Sequence, residues 1–534
     1  WGPSNMLFAL ISYAEGHRAD KDTFHKASQA VLLHLLEQKR RMPSSPLQEW
    51  AKWRWMDQAL SAAWLIDQGQ AGDHEQDMLD LIRMLHEQGA NWEQWFEHWT
   101  GDAGSHNVNN AQAFKSAAVY YRYNASATYE GHTMPELSKR RMANMDAKYG
   151  IPSGMFNGDE LLPEPGYERH PSRGIELCGV VEAMFSYNTM FAIHGEPAFA
   201  DRAERIAYNA LPATWASPTG GDMWAHQYLQ AVNEINAIRA VPQIWTHDNE
   251  YSETYGLEPN YGCCTANFNQ GWPKFANMLV YGTHDDGAAV ALYAPATVEL
   301  SGGSYVDIDT EYPFEDAATV TVTAAKDLPV YLRIPSWATK ATVNGALAAS
   351  GTMWKGSAKK GETKFVIEFN PVVRLEEWDN GAVSVHRGQL LYSLPITPSY
   401  EVYTHHFGSD TMSNDYYLRP QTAWQFALDA NPNIVKDSIT FKSAGLPDYS
   451  KAGMAPFNHS GWPTTLSAKV RRVEWGIEKN SAARPPTSPA CKSTTCGSPQ
   501  EATLAPFGGT ELRISEFPLA DFAHAAAEES SQFV

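Results

Sequence analysis

The sequence is poor in cysteine, in basic residues and in long apolar runs. Cysteine accounts for only five of 534 residues, so a cluster of cysteines is where chemistry should be sought first. Acidic residues outnumber basic ones by 61 to 41, and the resulting net charge of −20 disfavours nucleic acid and anionic membranes as partners. No apolar run approaches the ~18 residues of a membrane span. The length and the 43% hydrophobic content are typical of a globular protein with two or three domains.

Several features favour a secreted, extracellular glycoprotein. The chain opens at Trp1 without an initiator methionine or a visible signal peptide, which indicates a processed or truncated product. Cys491 and Cys496 lie in a Pro/Ser/Thr-rich segment, where a local disulfide suits an oxidising compartment and two free loop thiols are the alternative. Sequons at Asn124 and Asn458 predict glycosylation, although such triplets also arise by chance.

The first half of the chain has the periodicity of helices. Nine stretches carry apolar residues at helical spacing, with no convincing strand between them. They are 4–15, 22–39, 47–68, 76–88, 107–123, 135–148, 175–194, 197–211 and 267–279. The pattern predicts a helical domain over residues 1–285, built as a bundle, a solenoid or an α/α barrel. The absence of a fixed-period repeat counts against a solenoid.

Beyond residue 285 the pattern changes to short β-branched or alternating segments. Turn residues separate them at the intervals of a β-sandwich, and Asn344-Gly345 is a hairpin signal. These features predict a β-sandwich domain over 286–400. A second β-rich region is expected over 401–534, with a flexible loop near 480–505 and a final strand at 512–517.

Three cysteines and one glutamate form the strongest constellation. Glu176 and Cys178 are two residues apart and share a side only on extended backbone, as just before a helix. Adjacent cysteines cannot face one point from a regular strand, so Cys263-Cys264 implies a bend, which Gly262 could supply. Three sulfurs and a carboxylate provide the four ligands of a tetrahedral zinc site. The alternative is buried free cysteines that pack as small hydrophobes.

Five blocks of the sequence resemble glycoside hydrolase family 127, the β-L-arabinofuranosidase family. The blocks are 154–183, 201–212, 262–267, 332–337 and 388–392, and they include Glu176-Leu-Cys178 and Cys263-Cys264. The resemblance implies an (α/α)6-type barrel followed by β-sandwich domains. It also implies a retaining exo-glycosidase that acts on a terminal β-L-arabinofuranosyl or similar sugar.

The resemblance further implies the roles of the cluster residues. Cys263 would be the nucleophile, and Glu176, Cys178 and Cys264 would complete the zinc shell. Bound zinc keeps a thiol deprotonated at neutral pH and fixes the direction of the sulfur, which favours attack at an anomeric carbon.

The general acid/base of the family is a glutamate shortly upstream of the E-x-C motif. Glu160, sixteen residues before Glu176, matches that position. It would protonate the leaving oxygen and then activate water. Asp159, Glu164 and Glu168 are rivals in the same loop, and a solvated acidic loop is the non-functional alternative.

Three lesser candidates for substrate binding are His106, Glu204 and Tyr228. His106 resembles a sugar-contacting histidine of the family, with a helix-capping role as the alternative. Glu204 could bind a sugar hydroxyl or form a helix salt bridge with Arg202 or Arg205. Tyr228 could wall the sugar site or lie in the core.

The chain departs from the family at its start. About nine helices are legible where such a barrel takes about twelve. We therefore expect a missing N-terminal segment or a covering partner to complete the barrel, because exposed apolar helix faces need cover.

Two other functions remain open. One is a non-catalytic extracellular carbohydrate-binding or structural protein with a structural zinc, since closed four-ligand sites are often structural. The other is a polysaccharide lyase or unsaturated-uronide hydrolase, which shares the helical domain but has no use for the cysteine pair.

Overall fold

The computed structural model describes residues 2–101, 103–216, 225–245, 247–256, 261–405, 414–429, 438–448, 451, 457, 461–491 and 495–520. These residues form two compact units, the first comprising 1–147 and 189–195 and the second 148–188 and 196–534. Mixed helix and sheet content is therefore confirmed. The domain boundaries expected at residues 285 and 400 stay predictions, because neither unit ends at those residues.

Helices make up nearly all of the first unit. Over the described residues the helices are α1 Gly2–Gly16, α2 Lys21–Arg41, α3 Glu49–Trp53, α4 Trp55–Asp67, α5 Glu75–Gln88, α6 Trp92–His98, α7 Asn107–Ala113, α8 Ser116–Tyr121, α9 Met134–Tyr149, α10 Leu177–His194, α11 Pro197–Tyr208, α12 Gly262–Phe268 and α13 Gly271–Ala276. Helix α2 is capped by Asp20, whose carboxylate accepts from the backbone N–H groups of Asp22 and Thr23. Helix α5 buries Met78, Leu81, Ile82 and Leu85, one face of a 3.6-residue repeat.

Two predicted helices are interrupted where a buried cation needs a partner. The expected helix 47–68 breaks at Arg54, whose guanidinium donates to Asn109 Oδ1 at 2.8 Å. The expected helix 107–123 breaks before α8, where the fully buried Lys115 pairs with Asp57 at 2.9 Å. Burying a charge is costly unless it is paired, so these contacts override local periodicity.

Strands dominate the second unit, where α11, α12 and α13 also lie. They are β1 Thr128–Tyr129, β2 His132–Thr133, β3 Ile175–Glu176, β4 Trp215–Ala216, β5 Ala225–His226, β6 Leu229–Gln230, β7 Val280–Gly282, β8 Ala288–Val290, β9 Ala296–Leu300, β10 Ser304–Asp309, β11 Ala317–Ala324, β12 Leu328–Ile334, β13 Thr342–Val343, β14 Ala346–Leu347, β15 Thr352–Ala358, β16 Gly361–Glu368, β17 Val373–Glu377, β18 Val383–Arg387, β19 Leu390–Ile396, β20 Pro398–His405, β21 Asn414–Pro420, β22 Phe426–Leu428, β23 Ile439–Ser443, β24 Thr464–Arg472, β25 Ile477–Glu478, β26 Ser481–Ala482, β27 Gln500–Pro506 and β28 Leu512–Ile514. Of these, β1 and β2 belong to the first unit.

Three larger sheets carry the core of the second unit. Their strand orders are β14-β13-β16-β11-β10-β9, β15-β12-β8-β7, and β17-β18-β19-β27-β24-β22, with β23 beside β24 and β28 beside β19. Strands β11 and β16 pair antiparallel along their whole length. Alternate residues of β11 are buried, as expected for a strand with one face on the core.

Short strand pairs interrupt the segment that was expected to be purely helical. Strand β3 pairs with β6, and β4 pairs with β5. No convincing strand was legible before residue 285 in the sequence, because strands of two or three residues carry no periodicity of their own. Of the loop expected near 480–505, the described part includes β26, the start of β27 and the backbone bonds Ser488 N–H to Asn380 O and Ala490 N–H to Leu519 O.

Candidate active site

Glu176 and Cys178 lie at a junction between a strand and a helix. Glu176 ends β3 opposite Leu229, and helix α10 begins at the next residue, Leu177. Because Glu176 is extended and Cys178 lies in the first turn of α10, the carboxylate and the thiol lie on the same side of the chain. Both side chains are buried, with exposures of 2% and 3%.

The cysteine pair lies in the first turn of the short helix α12. The backbone N–H groups of Cys264 and Thr265 both donate to Tyr261 O, which starts the helical turn. Gly262 has no positive φ, so the bend expected from a glycine is made by the start of a helix instead. Cys264 is fully buried, whereas Cys263 is exposed.

The four candidate ligands converge. One ligand atom from each of Glu176, Cys178, Cys263 and Cys264 lies within 4.8 Å of all the others. The Sγ atom of Cys264 is 3.2 Å from that of Cys178 and 3.9 Å from that of Cys263. A tetrahedral zinc with ~2.3 Å bonds to sulfur separates its ligands by ~3.8 Å. The donor set and its spacing therefore fit zinc.

The three sulfurs have very different proton affinities in the absence of a metal. Hydrogen bonds with the side chains of Cys178 and Cys264 lower the pKa of Cys263 to about 3. The hydrogen bond to Cys263 raises the pKa of Cys178, and burial raises the pKa of Cys264. These shifts favour the thiolate form on Cys263, the exposed residue of the three, over Cys178 and Cys264.

Glu160 is held beside this cluster by backbone and side-chain contacts. Two residues upstream, Gly158 O accepts from Glu176 N–H at 2.9 Å, which lays the loop along β3. The Tyr228 hydroxyl donates to Glu160 Oε2 at 3.2 Å. Tyr228 is buried and stacks on Tyr261 with ring centroids 3.8 Å apart. Tyr228 thus contacts Glu160, and only 1% of the Tyr228 surface is exposed to solvent.

The rivals of Glu160 are engaged elsewhere. Asp159 is fully buried against His247 and Arg173. Glu164 Oε2 lies 3.0 Å from His247 Nε2, and Glu168 accepts from the Gly166 N–H group. Sequence reasoning missed His247, because no motif links it to a carboxylate 88 residues away.

Glu204 is not accessible to a sugar, which corrects the expectation from the sequence. Its fully buried carboxylate accepts from Tyr293 N–H at 3.1 Å and from the hydroxyl of Tyr312 at 2.7 Å. It also pairs with Arg333 at 2.6 Å and accepts from Gln389. Arg333, and not Arg202 or Arg205, is the ionic partner. Glu204 therefore joins helix α11 to the β strands.

The remaining residues named from the sequence are not among the four candidate metal ligands. In the first unit, His106 caps α7 by accepting from Asn109 N–H, and its ring meets Trp50 edge-on at 4.9 Å. Asn124 is half-buried in a turn, and Asn458 lies outside the described residues. Cys491 and Cys496 are joined in a disulfide. None of the described helices is both long enough and apolar enough to cross a bilayer.

Comparisons with known proteins agree with this architecture. Residues 287–362 match the family model described as β-L-arabinofuranosidase, GH127 middle domain. Comparison with curated proteins finds no matching sequence. The resemblance to glycoside hydrolase family 127 is confirmed in this middle region, and it supports a glycoside hydrolase.

Solved structures extend the similarity in fold to most of the chain. A glycoside hydrolase is similar with a TM-score of 0.63 at 15% identity, over 97% of this chain and 83% of that one. A GH127 β-arabinofuranosidase is similar with a TM-score of 0.56 at 15% identity, over 86% of this chain and 68% of that one. A GH127 β-L-arabinofuranosidase from Geobacillus stearothermophilus T6 is similar with a TM-score of 0.56 at 12% identity, over 95% of this chain and 78% of that one. At such identities the likeness is one of fold.

Proposed function

We propose that the chain is a retaining exo-glycosidase that removes terminal β-L-arabinofuranosyl or closely similar residues through Cys263. One observation carries the proposal: of four side chains positioned to share a metal, three belong to buried residues and only Cys263 is an exposed residue. A purely structural site has no need of an exposed sulfur, whereas a nucleophile must reach its substrate.

The ligand set proposed for zinc is Glu176, Cys178, Cys263 and Cys264. Bound zinc would keep the Cys263 sulfur deprotonated at neutral pH and fix its direction. The low pKa of Cys263 supports this assignment, since its two sulfur neighbours already favour the thiolate.

Two residues carry the proposed chemistry. The Cys263 thiolate attacks the anomeric carbon, so a C–S bond forms while the glycosidic C–O bond breaks, and Glu160 gives its proton to the departing oxygen. Glu160 then takes a proton from water as the water oxygen displaces the sulfur, which restores both groups. Two displacements retain the anomeric configuration. Tyr228 donates to Glu160 Oε2 and thereby orients the carboxyl group of Glu160.

The same proposal covers the finer architecture and the location. We infer an (α/α)6-type barrel in the helical part and β-sandwich packing of the sheets, in keeping with the similar solved structures. The disulfide between Cys491 and Cys496 supports an extracellular location, with Asn124 and Asn458 as glycosylation sites. His106 stays a proposed sugar contact.

Replacement of the nucleophile tests the mechanism. Cys263→Ala should lower kcat on an aryl β-L-arabinofuranoside by about 10⁴-fold or more, as for other nucleophiles. Gln270→Ala, an exposed change just beyond α12, is the matched control and should keep wild-type turnover. If Cys263→Ala keeps wild-type turnover, or if the first product has inverted configuration by NMR, the mechanism is wrong.

The second candidate is a carbohydrate-binding protein with a structural zinc, favoured by the burial of three of the four ligands. A cysteine-directed cyclic sugar epoxide separates the two functions. Peptide mapping should find the label on Cys263 of the enzyme, whereas a binding protein would bind sugar without becoming labelled.

A further inference from the structure

The loop that carries Glu160 is fastened to a second loop by one buried aspartate. Asp159, adjacent to Glu160 in the chain, is fully buried. Its Oδ2 accepts from the backbone N–H of His247, and its Oδ1 lies 3.0 Å from Nδ1 of the same histidine. A single carboxylate thus binds both the main chain and the ring of His247.

The His247 ring lies between two carboxylates. Its Nε2 is 3.0 Å from Glu164 Oε2, on the opposite side from Asp159. Both acids belong to the loop of Glu160. The ring therefore contacts a buried carboxylate of that loop, Asp159, and an exposed one, Glu164. Arg173 lies 3.4 Å from Asp159 and 3.5 Å from Glu164, and its side chain is fully buried. It supplies the positive charge that a buried carboxylate requires.

These contacts restrict the position of the Glu160 backbone. Gly158 is bonded to β3 on one side, and Asp159 is bonded to His247 immediately after it. The Glu160 backbone therefore starts from two consecutive anchored residues, and Tyr228 holds its carboxylate. A general acid must reach the leaving oxygen within about 3 Å, and a displacement of 1 Å can cost about 100-fold in rate.

We infer that Asp159 and His247 form a positioning pair that aims Glu160 at the leaving oxygen. This inference rests on the proposed function. In this inference the pair acts through Glu160 and not on the sugar itself. Its loss should impair proton delivery while leaving the Cys263 nucleophile competent.

Leaving-group dependence measures that effect. An alkyl arabinofuranoside needs a proton on its departing oxygen, whereas a 2,4-dinitrophenyl arabinofuranoside does not. In Asp159→Asn we expect kcat/KM for the alkyl substrate to fall about 100-fold, and the rate of dinitrophenolate release to change less than about threefold. His247→Gln should show the same asymmetry. Glu250→Gln, which removes an ion pair with Arg239 in the same loop, should change neither rate.

The outcomes separate this inference from the proposed function. If the wild-type protein hydrolyses neither substrate, the proposed function fails. If wild type is active but the two variants lose both substrates equally, or lose neither, the positioning role is overturned and the function stands. A far-UV circular dichroism spectrum and an unfolding midpoint equal to those of the wild type establish that each variant has folded. If Asp159→Asn does not fold, His247→Gln decides alone, because the His247 side chain is 28% exposed and tolerates replacement.

Discussion

The cluster makes a quantitative prediction about how zinc affinity depends on pH. Near neutral pH the metal-free site holds one thiolate, on Cys263, and two thiols, on Cys178 and Cys264. Because zinc binds thiolates, each ion bound should displace two thiol protons. Apparent affinity should therefore rise about 100-fold per pH unit, or about 2.7 kcal/mol, between pH 6 and 8. Three ordinary thiols would give about 1000-fold.

Zinc affinity can be measured by competition with a chromophoric chelator at pH 6, 7 and 8. Titration calorimetry in buffers of different ionisation enthalpy counts the protons released. Cys264→Ser removes one of the two thiols and should reduce the count to one. Glu299→Gln, at an exposed position of β9, should leave it at two. A count of three in the wild-type protein would show that Cys263 is protonated, and a count near zero would show that the burial argument is wrong.

Two further predictions concern stability, and Glu299→Gln serves as control for both. Burial raises the pKa of Glu516 to about 8 from 4.5, so the folded state holds a proton that the unfolded state has lost. Stability should then fall as pH rises from 4.5 to 8, by about 3 kcal/mol at pH 7, and Glu516→Gln should abolish that part of the slope in urea unfolding curves. An unchanged slope would exclude a protonated Glu516. Glu204→Gln leaves the fully buried Arg333 with the carboxylate of Asp201 alone and should cost about 1–3 kcal/mol of unfolding free energy. A loss below about 1 kcal/mol, like that expected of the control, would contradict the buried ion pair.

The sequence predicts helices and strands well where the regular spacing of buried apolar residues along one face indicates the type of element. Helices α2 and α5 follow from apolar periodicity, and the alternation in β11 follows from its pleat. The helix 47–68 was predicted as continuous because a buried contact between Arg54 and Asn109 has no local signature. Helix α6 was missed although Asn91 caps it, since seven residues are too few to show a period.

The site divides in the same way. The four cluster residues could be grouped because thiols are rare and the motifs resemble a family. Tyr228 was expected either in the wall of a sugar site or in the core, and its contact with Glu160 depends on the pairing of β3 with β6, which spacing does not encode. Glu204 was expected either to bind a sugar hydroxyl or to pair with Arg202 or Arg205, and its actual partner Arg333 lies too far along the chain to be predicted.

The disulfide and the cysteine cluster place opposite demands on the redox state. Cys178 and Cys264 have their sulfurs 3.2 Å apart, and a covalent bridge needs ~2.05 Å. Surroundings oxidising enough to keep Cys491 and Cys496 joined would tend to join that pair as well. A bound divalent ion would act as a protecting group for these sulfurs. The protein should therefore not be exposed to a chelator and air together. Reductant added afterwards to open a Cys178–Cys264 bridge would also open the Cys491–Cys496 disulfide.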